Sequence, residues 1–355
     1  MSETAPAADP GPAAATSKEF RERGFGALVR WDSVVAVVLV LVLLYSFGSV
    51  KNFGNSLNLS FLIGNTLPIA IIALPMCMLV ASGQIDLSVG SMAGLSGAIM
   101  GALWNNGWPI QQIIPICLAV GLLGGLLNGL LVTRLGLPSL AVTIGTLALF
   151  RGLAQIILGA NAVTDFPEQY LTFGSGRIGS SFVPTAAIPY LVLVVLAVVL
   201  LHVSRFGRAV FAIGANEQAA YFAGLRVRRT RLILFALTGL LASATGVFWV
   251  LHYASARYDN ATGLELSVVA AVLLGGIDFD GGKGTILGAI AGVFLLGTLQ
   301  NVMSLQDVSA QTQIIVTGVL LVVSVLAPRT ARQVRQYAAR RRVVSAVKRA
   351  ASASA

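Results

Sequence analysis

NLSFLIGNTLPIAIIALPMCMLVASGQIDLSVGSMAGLSGAIMGALW, residues 58–104, holds one ionisable acid, Asp86, and no base. The stretch is part of a longer one. From Asn52 through Thr133, 82 residues, there is no Lys, Arg, Glu or His and no second Asp. Soluble domains carry about 25% charged residues, so no water-facing domain is built this way. Apolar runs near the ~20 residues that a helix needs to cross a bilayer core recur along the chain. A transmembrane β-barrel would instead show short alternating segments. The whole chain agrees: 355 residues are 56% hydrophobic and 11% charged, with mean hydropathy +0.84. The expected fold is an all-α, polytopic integral membrane protein.

The 38 glycines fit that class, because small residues let membrane helices approach closely. Cys77 and Cys117 both fall in expected spans, which argues against a disulfide framework or a metal knuckle; they read as buried apolar-face thiols. NLS at Asn58 and NAT at Asn260 match a glycosylation acceptor but are short enough to arise by chance. Residues 1–30 read as a disordered basic tail that begins Ala/Pro-rich and lacks the h-region of a cleavable signal peptide. Residues 31–328 form the transmembrane domain, and 329–355 a basic tail.

Ten membrane segments are expected, at about 32–50, 57–80, 86–104, 110–132, 139–158, 185–203, 231–253, 264–276, 284–303 and 311–328. The eighth is too short for an ordinary span and reads as a half-helix or part of a broken one. Lys and Arg concentrate on the cytoplasmic side of membrane proteins. With both termini inside, 20 of the 24 basic residues are cytoplasmic; Lys51, Arg177 and Arg257 fall outside and Arg151 lies within a span. The net charge of +10 is thereby explained by tails bordering an anionic leaflet, and no nucleic-acid partner is needed.

Two connections are long: 159–184 outside, with Asp165, Glu168 and Arg177, and 204–230 inside. The outer one reads as either a solvated connector or a receiving surface for a soluble partner. DLSV at Asp86–Val89 has an echo in ELSV at Glu265–Val268, and GLLGGLLN ending at Asn128 has one in VFLLGTLQN ending at Asn301. The segments that follow the two acids are expected to run in opposite directions. An inverted repeat of segments two to five against seven to ten follows, a common way to build a path that opens to each side in turn.

Three readings fit Asp86, with Ser88 beside it: a helix N-cap near the cytoplasmic interface, a group on the transport path, or a subunit contact. The cap is preferred, since a lone acid makes a poor proton relay. Glu265 and Ser267 occupy the matching places. In the inner loop, Gly214, Asn216, Glu217, Ala219, Ala220 and Gly224 mark a short helix capped by Asn216. It suits a docking element, and equally an interfacial helix. LGGIDFDGGKGT, with Gly275, Gly276, Gly281, Gly282 and Gly284, is not a P-loop. Ile277 stands where the first Gly belongs and Gly284 where Ser or Thr belongs, so the glycines read as tight turns. Arg151 is expected to meet backbone carbonyls or a distant acid, or to snorkel. No catalytic or metal constellation is present in the sequence, and an enzyme is not expected.

Four ordered blocks resemble one family. GQIDLSVGSMAGLSG, LPSLAVTIGTLALFRGLA, AIGANEQAAYFAG and LGGIDFDGGKGTILGAIAG are similar to blocks of the permease subunits of bacterial monosaccharide ABC importers, the ribose, xylose, arabinose and rhamnose type with autoinducer-2 relatives. Gln84, Ile277, Asp278 and Asp280 depart from the usual residues. The resemblance implies a multi-pass protein of the bacterial inner membrane, with both termini cytoplasmic. It implies an extracytoplasmic sugar-binding protein, a second permease subunit, and cytoplasmic ATPase subunits that bind ATP, this chain needing no cofactor of its own. The Glu217 helix would be the coupling element. A stand-alone secondary transporter or channel is the alternative, and this chain is poor in the ionisable groups such proteins use.

Overall fold

The computed structural model describes residues 31–324 together with Leu326 and Thr330. The two tails expected at 1–30 and 329–355 lie outside the described residues, Thr330 apart. Helices dominate, and among the described residues β-structure is limited to isolated bridges, Val163 with Ala256 and Arg177 with Pro184. In chain order the helices are α1 (Trp31–Ser49), α2 (Ser56–Ala81), α3 (Val89–Asn105), α4 (Ile110–Arg134), α5 (Ser139–Leu158), α6 (Glu168–Ser175), α7 (Ala187–Val198), α8 (Arg205–Ala215), α9 (Glu217–Phe222), α10 (Val227–Tyr253), α11 (Leu264–Leu274), α12 (Ile286–Leu305) and α13 (Ala310–Ser324).

A helix coincides with each of the ten expected segments, but their lengths differ. Among the described residues, six helices are long and apolar enough to cross a membrane: α1, α2, α4, α5, α10 and α12. A seventh crossing is made if α7 and α8 count as one bent span. α7 ends in a π-helical turn, Val199–Val203, and the chain then bends by 64° into α8. Ser204 makes this corner: its hydroxyl donates to the Leu200 carbonyl and accepts from the Gly207 amide. The bend also shows that the inner connection 204–230 is not a loop with one short helix but two helices, α8 and α9. The third segment begins at Val89 rather than 86 and the seventh at Val227 rather than 231.

α2 and α10 are the central pair. α2 is buried along most of its length, with Leu67, Ile72, Met76 and Leu79 wholly enclosed, and it carries Pro68 and Pro75 without breaking because neighbouring helices surround it. α10 packs on α2, α3 and α4; α2 in turn packs on α10, α11 and α12. In lipid there is no hydrophobic force between helices, so close packing holds them, and glycine permits it. On the α4–α10 seam a Cβ at Gly121, Gly125 or Gly239 would run into the facing backbone. At Gly246 it would meet the Ala93 carbonyl of α3. α1 stands at the edge with Val37, Leu41 and Leu44 more than half exposed, as expected of a lipid-facing helix. Its foot is tied in: Trp31 Nε1 donates to the Leu274 carbonyl at 3.0 Å, and Thr285 Oγ1 donates to Asp32 at 3.2 Å.

Candidate functional site

Three distant stretches meet at the end of α2. The Gly282 amide donates to the Ala81 carbonyl at 2.9 Å. Gly214, near the end of α8, lies so close that a Cβ there would overlap the same carbonyl and sit 2.5 Å from the Gly282 nitrogen. Gly281 would bring a Cβ within 2.9 Å of the Gly83 nitrogen. Gly281 and Gly282 have φ of +85° and +76°, a conformation other residues rarely take. The expected glycine turn is therefore two structures. Gly281 and Gly282 join this junction, whereas Gly275, Gly276 and Gly284 pack against α12, Trp31 and Ile277. Ile277, one of the departures from the family pattern, is 3% exposed and fills that second turn.

On this junction sits α9. Asn216 Oδ1 accepts from the Ala219 amide at 2.9 Å and starts the helix. Ala220 is buried against Ile213 and Val227, which pins α9 to α8 and α10. Gly224, with φ +82°, follows the helix end, where the Gly224 and Leu225 amides turn back to the Tyr221 and Ala220 carbonyls. Glu217 is held rather than free: Arg231 Nη1 donates to it at 2.7 Å, while Arg231 Nη2 reaches the Ser82 carbonyl at 3.3 Å. Ala219 is exposed, and so are Tyr221 and Phe222, the latter at 86%. Tyr221 and Phe222 line an open hollow together with Arg226, Arg228 and Arg229.

Asp86 does not cap α3. It is 1% exposed and lies three residues ahead of α3, whose cap position is held by Ser88 without a side-chain bond. One carboxylate oxygen accepts from the Ser88 amide at 2.8 Å and from the Ser88 hydroxyl at 2.6 Å. Asn128 Nδ2, on α4, donates to the Ser88 hydroxyl at 2.9 Å and approaches the other Asp86 oxygen at 3.4 Å. The reason is reach: a two-residue Asp–Ser turn closes more readily than a bond spanning to the third helical amide. Asp86 thus closes the turn that leads into α3 and ties it to α4.

Glu265 and Arg151 approach α3 from other directions. Glu265, in the first turn of α11 after Gly263, places Oε2 against Gly90, buried and without a hydrogen-bond partner. Arg151 Nη1 donates to the carbonyls of Tyr258 and Asn260, each at 2.8 Å, and crosses α3 at Gly94. The two side chains attract each other electrostatically without touching. Ser267 turns instead to a cavity between α2, α10, α12 and α13.

Residues 58–325 match the family described as branched-chain amino acid transport system / permease component. The chain belongs to this family. It is a transport permease and a multi-pass membrane protein, and the family is not one of enzymes. Similar relatives include the autoinducer 2 import system permease protein LsrD of Yersinia enterocolitica, 33% identical over 83% of this chain and 91% of the relative. The LsrD of Photorhabdus temperata is 31% identical over 88% and 96%, and that of Klebsiella pneumoniae 31% over 84% and 91%. No solved structure matches.

In the permease, sequence reasoning passed over Gly90, Gly94, Gly97 and Gly101, which line the face of α3 that Glu265, Arg151, Asn260 and Ala256 approach. Their spacing of three to four was the available signal. It also passed over Arg231 as anything but a cytoplasmic charge, and nothing local announces a contact to Ser82, 149 positions away. On the opposite face, the Val163 and Ala256 backbones exchange two hydrogen bonds, and Trp104 Nε1 donates to the Asp165 carbonyl at 2.8 Å. The long outer connection is thus fastened to the turn at 254–263.

Proposed function

We propose that the permease is the membrane-spanning subunit of an ATP-driven importer of a monosaccharide or a sugar-like solute. α9 is its coupling helix. The observation that carries this reading is the junction of Ala81, Gly214 and Gly282, which presents exposed Tyr221 and Phe222 and a row of arginines on a rigid base. A partner pushing on α9 would act directly on the end of the central helix α2, which is what coupling ATP hydrolysis to transport requires. The relatives' names supply the solute class: autoinducer-2 import. The partners on this reading are two cytoplasmic ATPase subunits, which bind the ATP, a second permease subunit, and an extracytoplasmic binding protein seated on α6 and the 254–263 turn. The site is the bacterial inner membrane, with both termini cytoplasmic.

An inverted repeat of α2–α5 against α10–α13, within ten membrane segments, fits the packing. Each central helix contacts the other, and each also lies on the half-helix and the long helix of the opposite half: α2 on α11 and α12, α10 on α3 and α4. The family's printed name favours a second solute class, a branched-chain amino acid.

The test is co-purification of tagged chain with ATPase subunits from its native host. Phe222→Asp leaves the junction untouched and should abolish ATPase recovery at normal membrane levels. Unchanged recovery would remove α9 from the coupling role, and no ATPase on the wild type would remove the importer reading.

A further inference from the structure

We propose that the hollow between the end of α4, the start of α5 and the start of α10 is a binding site for the phosphate headgroup of an anionic phospholipid. Its occupancy is independent of the importer reading above. Two adjoining spaces make the hollow. One measures 480 Å³ and is lined by the 136–138 turn, by Ser139 and Leu140 of α5, and by Arg228 and Arg231 of α10. The other measures 420 Å³, shares Thr133 and Arg228 with the first, and adds Arg134 and Arg229.

Charge points to an anion. Four arginines line the two spaces, and a single acid, Glu217, stands with them. Glu217 is already paired with Arg231 at 2.7 Å. Among the described residues, the side chains of Arg134, Arg228 and Arg229 have no hydrogen-bond or ion-pair partner, and all three are exposed. The Arg231 side chain is only 11% exposed, and its Nε is buried with no hydrogen-bond partner. The wall thus holds N–H donors and positive charge well beyond its acceptors.

The helix ends point the same way. α5 and α10 both begin at this hollow, and neither has a side-chain cap or an acid in its first turn. Each leaves free amides and the positive end of its dipole there. Arg228 and Arg229 stand in the first turn of α10, where the dipole disfavours a base. A phosphate seated between them accepts from the amides, pairs with the guanidinium groups and offsets both dipoles.

An apolar rim selects a lipid over a soluble anion or an acidic protein surface. Leu135, Leu137 and Leu140 are 66%, 44% and 42% exposed, and the last two line the hollow itself. One turn further along α5, on the same face as Leu140, Ile144 is 55% exposed. This stripe leads from the arginines onto the side of a helix long and apolar enough to cross a membrane. A molecule with a phosphate at one end and acyl chains at the other covers both; a soluble anion leaves the leucines bare. Basic pockets between membrane helices bind anionic headgroups in this way. Glu217 of α9 shares the wall, so the headgroup also braces α9 toward α5 and α10.

The test is native mass spectrometry of the full-length chain, purified in mild detergent and offered phosphatidylglycerol or phosphatidylcholine with the same acyl chains. The wild type should retain phosphatidylglycerol and lose phosphatidylcholine. Arg134→Gln, Arg228→Gln and Arg229→Gln together should weaken phosphatidylglycerol binding by about tenfold or more, given what single bases contribute near an anionic surface. An equal loss of charge away from the hollow, Arg205→Gln with Arg208→Gln and Lys283→Gln, should leave it unchanged. Because the first three side chains hold nothing within the chain, that variant should melt with the wild type in lipid-free detergent. Added phosphatidylglycerol should then raise the melting temperature of the wild type alone. Equal retention of the two lipids by the wild type, equal weakening by the two triple variants, or displacement of the lipid by millimolar inorganic phosphate would overturn the proposal. So would loss of ATPase recovery in the first variant with lipid retention intact, which would assign the arginines to an acidic protein surface. Lipid retention is read on the chain alone, so its failure is distinct from failure of the importer reading.

Discussion

DLSV at Asp86–Val89 and ELSV at Glu265–Val268 are alike in sequence, and the structure uses them differently: Asp86 lies three residues ahead of α3, whereas Glu265 lies in the first turn of α11. Asp86, Ser88 and Asn128 are joined by hydrogen bonds that bind the lead-in of α3 to α4, although Asn128 Oδ1 is buried without a partner. Around Glu265 no such side-chain set forms. Glu265 Oε2 has no hydrogen-bond partner, Ser267 faces the cavity, and Asn301, at the end of the similar stretch VFLLGTLQN, exchanges hydrogen bonds with Asn58 on α2. The first half is also filled where the second is hollow: Met92 and Phe150 press against Gly124 on α4. Similar local motifs make a lock before α3 and border a cavity at α11. A longer side chain and a relocated amide are enough to produce the difference.

The largest expected effect tests the lock. Asp86→Leu strands the Ser88 amide in a buried place and leaves the Asn128 amide with one partner fewer. At about 1–3 kcal/mol for each stranded group, it should sharply lower detergent melting temperature and membrane level. Asp86→Asn keeps an acceptor for Ser88 and should retain most stability and transport. Glu265→Gln, by contrast, should change stability by less than about 1 kcal/mol. Equal losses at Asp86→Asn and Asp86→Leu, or a large loss at Glu265→Gln, would break the comparison.

Next in size is the crossing at Gly94. A Cβ there falls 2.5 Å from Arg151 Nη1 and 2.8 Å from the Asn260 carbonyl, so Gly94→Val should cost about 1–3 kcal/mol by overpacking. Gly145→Ala on α5, where nothing lies within 4 Å, should be neutral or raise stability by up to about 1 kcal/mol. Thermal shifts on both purified variants check the pair. A double-mutant cycle of Arg151→Met and Glu265→Gln should then show coupling of about 0.5 kcal/mol or more. Additivity would mean that Arg151 serves the carbonyls of Tyr258 and Asn260 alone.

The smallest effect lies on the outer turn. The Arg257 guanidinium, hydrogen-bonded to Asp259 at 2.8 and 2.9 Å, holds that carboxyl below the usual carboxylate range. A lowered folded-state pKa stabilises at pH above the usual carboxylate value, and the gain is lost as pH falls through the lowered one. Asp259→Asn should therefore melt slightly below wild type at neutral pH, and the difference should vanish in strong acid. A constant difference across pH would place the effect elsewhere in the turn.

Much of this was legible along the chain. Span positions follow from apolar length, and each expected segment meets a helix because a bilayer leaves the backbone few alternatives. Asn216 at the start of α9 follows from a short polar side chain ahead of a helical stretch. The burial of Asp86 was not legible. An acid before an apolar helix looks the same exposed or enclosed, and only the approach of Asn128 from α4 shows that it is enclosed. The split of the glycine-rich turn was equally hidden, since Gly276 and Gly281 differ only in whether Trp31 or Gly83 lies opposite.

By itself, then, the sequence determined the class of molecule, its helices and the family it belongs to. These depend on hydropathy, spacing and local caps, all of which act over a few residues or one bilayer thickness. Only the tertiary structure decided that Glu217 is held by Arg231, that Gly214 and Gly282 close on the end of α2, and that Arg134 and Arg228 line one hollow. Those are contacts between residues tens to hundreds of positions apart. They come from how closely helices approach, and that distance is set by which side chains the facing surfaces lack.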